Sequence, residues 1–274
     1  MFFTKSTQRK HWLFTPQELE EKRREIYDLI PSNQKSVSYE DHLRYIRYYQ
    51  HQIIAAGIKI GYTKYLYQTA LALYQRLYTK VTAWDIPPQL ALLSCLYIVR
   101  KLEGPQDLHV FLGDLCVPAE FYEEFQPEKK IPQVEIRILQ ALNFEYSVYL
   151  PFHEIIGFLH GTQHGSDEDI RSVIECAKTF LYTDVLLLFP PGQIALACIA
   201  KVFSLEEAES YIPEKHPADI VECITQILTY EDNSMTEEEV QAFDSVFARE
   251  SSALEVLRSA QAAPSNSDKA ILPP

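Results

Sequence analysis

The sequence predicts an all-α protein built as two tandem helical domains of five helices each, with additional helices at the two ends. Three observations lead there. Apolar residues recur at helical spacing along most of the 274 residues. Period-two alternation, the mark of half-buried strands, is weak everywhere. A double proline opens an apolar, small-residue-rich helix twice, about a hundred residues apart: Pro87-Pro88-Gln89-Leu90-Ala91 and Pro190-Pro191-Gly192-Gln193-Ile194.

The elements follow in order. Thr15-Pro16-Gln17-Glu18 is a capping box with proline at the first helical position. The helix after it is mostly charged, has a thin apolar stripe (Leu19, Ile26, Ile30), and stops at Pro31. A stripe so thin suits a helix lying on the surface of the body. The next helix opens at Ser38 with Asp41 three residues on, and another runs from Thr63 through Leu66, Ala70, Leu73 and Leu77. After Pro87-Pro88 the chain is apolar almost all round from Leu90 to Val99, as a helix wrapped on every side must be. A fourth helix is read near Asp107–Leu115 and a fifth from Pro132 to Leu142.

The second half repeats the theme, with helices read at Phe152–His160, Asp167–Leu188, Gly192–Phe203, Leu205–Tyr211 and Ala218–Thr229. A second capping box, Thr236 to Glu239, opens a last helix with Val240, Phe243, Phe247, Leu254 and Leu257 on its apolar face. From Ala262 the composition turns to Ala, Pro, Ser and Asn, and a disordered tail is expected. The organisation is thus an arm and helix over 1–36, a first domain over 37–147, a second over 148–232, a C-terminal helix over 233–262 and a tail over 263–274.

Composition removes several classes of function. The longest apolar run, Leu90–Val99, is about half a membrane span, and Met1–Lys5 has no apolar core of a signal peptide. No membrane association is expected, and the compartment is read as cytosol or nucleus. The five cysteines contain no Cys-x-x-Cys pair and are read as small buried hydrophobes in a reducing compartment. A net charge of -13 repels phosphate backbones, so direct nucleic-acid binding is not expected. The basic first two dozen residues and the acidic stretch from Phe203 to Glu255 either dock on each other or are two solvated surfaces.

Catalytic and cofactor signals are missing. The sequence has no glycine-rich phosphate loop, no nucleophile elbow and no His-Glu-x-x-His. Without Asp-Phe-Gly or His-Arg-Asp it is not itself a kinase. His160 and His164 have helical spacing, but Gly161 and Gly165 beside them favour a loop over a metal site. No catalytic residue, cofactor or metal is expected, which leaves binding. Two charged residues stand beside strongly apolar helix segments: Lys101 at the end of the central helix, and Glu135 in the first turn of a helix opened by Pro132. Helix dipoles alone explain both placements, since cations suit a helix C-terminus and carboxylates an N-terminus.

The order of these segments resembles the cyclin family. Tyr74-Gln75-Arg76-Leu77-Tyr78 resembles its Tyr-Phe/Ile-x-Arg-Phe pattern, and Lys101-Leu102-Glu103 resembles the Lys-Val/Phe-acid run after the central helix. Val134-Glu135 through Leu139, then Leu142-Asn143-Phe144, resembles the end of the first cyclin box. Ser6-Thr7-Gln8-Arg9-Lys10-His11-Trp12-Leu13-Phe14 is similar to the opening of the cyclin H branch. Asp184-x-x-Leu187-Leu188-Phe189-Pro190-Pro191-Gly192-Gln193-Ile194-Ala195-Leu196 is similar to its second box, a stretch the cyclin C branch shares nearly as well. The resemblance spans about residues 5 to 260. Departures are Gly104 where the family usually has an acid, Gln75 where many members have Asp, and His42–Arg47 where the substrate-docking Met-Arg-Ala-Ile-Leu segment would stand.

The resemblance implies two tandem cyclin boxes and a non-catalytic, nuclear regulator that activates a cyclin-dependent kinase of the CDK-activating, transcription factor IIH type. It implies a RING-finger assembly factor as a further partner, with the other transcription factor IIH subunits met indirectly. Roles in RNA polymerase II transcription and the cell cycle follow, and Lys101 and Glu135 would face the kinase. Two alternatives stay open: a cyclin C-like partner of the Mediator kinase, and a TFIIB-like double cyclin fold on promoter DNA.

Overall fold

The computed structural model describes residues 3–30, 37–117, 119–212, 217–241 and 243–244. Among them there are helices and no strands. The helices are α1 (Thr7–His11), α2 (Pro16–Asp28), α3 (Tyr39–Lys59), α4 (Lys64–Leu77), α5 (Pro88–Glu103), α6 (Leu108–Leu115) and α7 (Ala119–Phe125). They continue with α8 (Pro127–Ala141), α9 (Pro151–Leu159), α10 (Asp167–Leu181), α11 (Val185–Leu188), α12 (Pro191–Val202), α13 (Leu205–Ser210) and α14 (Pro217–Leu228).

Packing falls into two groups, each around one of the proline-opened helices. In the first, α3, α4 and α8 pack on α5. Every residue of α5 from Leu90 to Val99 is buried, so it has no solvent face to display. Close approach is built in where α3 meets α4: a Cβ on Gly57 would stand 2.5 Å from Cβ of Tyr67. Gly61, in the left-handed region at φ 73°, then ends α3, and the amide of Tyr62 closes on the carbonyl of Gly57. In the second group α9, α10, α13 and α14 pack on α12, whose Ile194 to Ile199 are buried.

The N-terminal capping box is present as read: Thr15 accepts from the amide of Glu18, and Glu18 accepts from the amide of Thr15. Three local readings need correction. The segment opening at Ser6 forms a short helix, α1, capped by the Ser6 hydroxyl. The helix read from Pro132 starts a turn and a half earlier, at Pro127, and carries Pro132 inside it. Pro127 takes the first helical position, where a missing N–H costs nothing, and Ile131 extends the buried stripe of Val134 and Ile138. The single helix read over Asp167–Leu188 breaks at 182–184 into α10 and α11.

That break has a cause. The side-chain amide of Gln75, buried on α4, donates to the carbonyls of Leu181 (2.9 Å) and Thr183 (3.0 Å). Asp184 turns inward to two arginines: Arg23 of α2 grips it with two bonds of 2.7 and 2.8 Å, and Arg47 of α3 adds a third at 2.7 Å. Burial alone would raise the carboxyl pKa of Asp184, but the two guanidinium groups outweigh it and hold it below the ordinary range. One carboxylate therefore joins the surface helix α2, the first helix group and the start of the second.

The N-terminal arm closes the same junction from another side. Gln8 bonds the backbone of Tyr149, donating to its carbonyl and accepting from its amide. The indole of Trp12 donates to Glu145 at 2.7 Å. Arg76, almost fully buried on α4, donates to the carbonyls of Glu145 and Ser147 and to Gln8, with its guanidinium 5.2 Å from the Trp12 ring centroid. Burial pulls its pKa down to about 10.

Of the acidic C-terminal stretch, the described part lies on α3 and α5. Arg44 pairs with Glu239 at 3.0 Å, and Tyr45, Tyr49 and Gln89 all donate to Asp244. The partners of the basic N-terminal helix are elsewhere: Arg23 meets Asp184, and Arg24 meets Glu20 and Glu40. The last helix as read beyond Asp244 and the tail over 263–274 lie outside the described residues. Among the described residues no helix is long and apolar enough to cross a membrane, and no group of three metal-ligating side chains occurs.

Candidate functional site

The two residues singled out from the sequence meet on the surface of the first group. Lys101 lies in the last turn of α5 and Glu135 on α8, the two helices being packed together. The Lys101 ammonium stands 2.6 Å from Oε1 of Glu135 and 5.3 Å from the Tyr97 ring centroid. The two side chains differ in exposure: Lys101 is 42% accessible and Glu135 only 14%.

The earlier start of α8 changes the reason for Glu135. It is no longer in a first turn but two turns inside a helix, where the dipole has faded. A mostly covered carboxylate there needs a partner, and Lys101 supplies one. For Lys101 the helix-end explanation still holds, with Arg100 beside it in the last turn.

Apolar side chains flank the pair. Leu102, next after Lys101, is 49% exposed, and Ile136, next after Glu135, is 57% exposed. Large exposed apolar residues at two successive helix positions are what a protein-binding face presents: apolar contact area around a polar anchor. The pair itself can change partners without unfolding anything, since Lys101 is already half in water. An incoming backbone carbonyl can replace the carboxylate at the ammonium, and an incoming N–H can take the lone pairs of Glu135.

Other polar residues of the resemblance do structural work inside the molecule. Gln75, Arg76 and Asp184 lie within the junction described above, together with Gln8 and Trp12. Gln75 also accounts for its own departure from the family pattern. Its amide donates to two carbonyls, and an Asp carboxylate there would have no donor to offer them. His160 ends α9 and its ring is not drawn to that of His164, which stacks on Phe203 at 4.1 Å and faces Glu207 at 3.8 Å. Arg23 and Arg47, which hold Asp184, were not visible as a site from the sequence. Their only signal is a pair of arginines on otherwise amphipathic helices.

No protein-family model matches the chain. Among curated proteins it is 28% identical over 212 residues to an RNA polymerase II holoenzyme cyclin-like subunit of Neurospora crassa, covering 76% of this chain and 61% of that one. It is 25% identical over 240 residues to Cyclin-H1-1 of Arabidopsis thaliana (72% and 69% covered) and 26% identical over 224 residues to a putative cyclin-H of Dictyostelium discoideum (73% and 75%). The chain thus spans less than two thirds of the length of the Neurospora protein. A chain of the CAK complex from Chaetomium thermophilum bound to ATP-gamma-S superposes with a TM-score of 0.76 at 18% identity, over 99% of this chain and 98% of that one. A chain of the yeast TFIIK complex gives 0.66 at 17% identity, over 82% and 100%. These likenesses place the fold among the cyclins and the sequence nearest the cyclin H kind.

Proposed function

We propose that this cyclin H-like chain is the regulatory subunit of a cyclin-dependent kinase of the CDK-activating, transcription factor IIH type, acting in the nucleus without catalytic residues of its own. The observation that carries the reading is the Lys101–Glu135 pair, half open to solvent and flanked by exposed Leu102 and Ile136. Two cyclin boxes, over 37–147 and 148–232, would each be centred on one proline-opened helix, α5 and α12. A RING-finger assembly factor would be the third component. The solved complexes that contain chains of this fold support that composition.

The mechanism follows from what phosphoryl transfer needs. A protein kinase is competent only when the Lys of its third strand pairs with the Glu of its αC helix. A subunit that binds only the αC-inward state shifts the kinase toward it by the difference between its affinities for the two states. Lys101 and Glu135 would anchor that helix by taking its free backbone and polar groups, while Leu102 and Ile136 exclude water. Removal of either anchor leaves a desolvated group without a partner, at a cost of ~2–5 kcal/mol in affinity.

Co-expression with the CDK-activating kinase of the same organism, followed by purification and an assay on a polymerase C-terminal repeat peptide, tests the reading. Stable co-elution with a gain in kinase activity is expected. Co-elution with the Mediator kinase instead would favour the second reading, to which the holoenzyme relative gives some weight. Binding of neither kinase would contradict both.

A further inference from the structure

Five thiols are present, and two of them meet. Cys176 on α10 and Cys198 on α12 are in hydrogen-bond contact across the packed α10–α12 interface, Cys176 partly exposed and Cys198 fully buried. One turn further along each helix, Lys201 of α12 reaches over Phe180 of α10, its ammonium 4.7 Å from the ring centroid. The cation thus crosses the same interface beside the thiol pair. We propose that Cys176 and Cys198 form a reversible dithiol–disulfide couple, in which Cys176 reacts with a peroxide and Cys198 resolves it, stapling α10 to α12.

The chemistry separates the roles. A thiolate is the nucleophile, and it forms where a donor and a cation favour it. Cys176 has both: the thiol of Cys198 donates to it and Lys201 stands near, and its pKa falls below the ordinary thiol value. Cys198 is pushed the other way by burial and stays a thiol. Cys95 is raised by burial to a value at which no thiolate forms, and Cys223 is raised by burial and by Glu222 and Asp219 nearby. Cys116 is exposed, with no second cysteine among its contacts.

The steps balance. The Cys176 thiolate attacks one peroxide oxygen; an S–O bond forms, the O–O bond breaks, and hydroxide leaves, taking up the proton the thiol had released. The sulfur of Cys198 then attacks the sulfenic sulfur of Cys176. The S–S bond forms, the S–O bond breaks, and the departing hydroxyl takes the Cys198 proton as water. Two thiols are oxidised and one peroxide is reduced to two waters. In a reducing compartment such a bond is transient, and a dithiol reductant reverses it.

The full chain would be treated with hydrogen peroxide, its remaining thiols alkylated, and the digest mapped without reduction. A peptide pair linked through Cys176 and Cys198, abolished by dithiothreitol, is expected. In Cys198→Ala, dimedone should label Cys176. In Lys201→Gln, which touches only the rim of the interface, disulfide formation should slow several-fold at neutral pH and recover at higher pH. Oxidation confined to Cys116, with Cys176 and Cys198 both still alkylated on unfolding, would overturn the proposal. So would an unchanged rate and pH profile in Lys201→Gln.

Discussion

Two charged clusters in this protein use the same chemistry to opposite ends. Around Asp184, two arginines and a carboxylate are buried together, with bidentate geometry, and no member has solvent to fall back on. At Lys101–Glu135 a single contact joins a half-exposed lysine to a covered carboxylate. The first cluster ties α2 and α3 to the start of α11, and breaking it means moving helices. The second ties nothing that α5 and α8 packing does not already hold. Burial, rather than charge, separates a structural ion pair from one available to a partner.

The comparison breaks first at Asp184. Asp184→Ala leaves Arg23 and Arg47 without their carboxylate, and a loss of about 3–5 kcal/mol of folding stability is expected from denaturant titration. Lys101→Ala should change stability by only ~0–1 kcal/mol, because its partner pair is surface-screened. Equal losses in both variants would remove the distinction.

Acid should find the buried side of the molecule too. His42 is enclosed against Trp84, stacked at 5.1 Å, with Nε2 accepting from the amide of Ala83. Burial, with the nearby Arg23 charge, pulls its pKa down to about 3. The unfolded chain takes up a proton on this imidazole below about pH 6.5 while the folded chain does not. Stability from His42 is therefore complete above that pH and is lost progressively as pH falls toward 3. The slope is about 1.4 kcal/mol per pH unit. His42→Gln, which keeps an acceptor, should remove about one proton from the measured pH dependence between 6 and 4. Asp184, depressed as a carboxylate, adds its own loss only at still lower pH. An identical pH profile in the variant would contradict the buried neutral imidazole.

A smaller effect is expected at Gln75. Gln75→Ala leaves the carbonyls of Leu181 and Thr183 without their donor, at about 1–3 kcal/mol. Gln75→Glu should be no better, since a carboxylate cannot donate. Full stability in Gln75→Glu would show that water replaces the amide.

Much of this was legible in the sequence where one helix decides its own fate. The all-round apolar run from Leu90 to Val99, the Thr15–Glu18 box and the Pro191 start are local signals, and the fold honours them. The readings that moved are those where distant residues intervene. A continuous helical pattern over 167–188 breaks because Gln75, Arg23 and Arg47 compete for its backbone and for Asp184. Pro132 looked like a start because nothing local shows that Pro127 already serves as one. For the candidate site, Lys101 and Glu135 were readable as charged residues at apolar helices. Their contact was not, since α5 and α8 are brought together by packing. Gln8, Trp12 and Arg76 stood out as motif residues, yet only the folded chain shows them joined around Glu145.

The central claim is that Lys101 and Glu135 form a kinase-binding anchor on an otherwise rigid body. The most direct measurement is calorimetric titration of the CDK-activating kinase with the wild-type chain, Lys101→Ala, Glu135→Ala and the double variant, each first shown to be folded. Each single variant should lose ~2–5 kcal/mol of binding free energy, and the double variant less than the sum, because the two side chains act together. Wild-type affinity in both single variants would contradict the account.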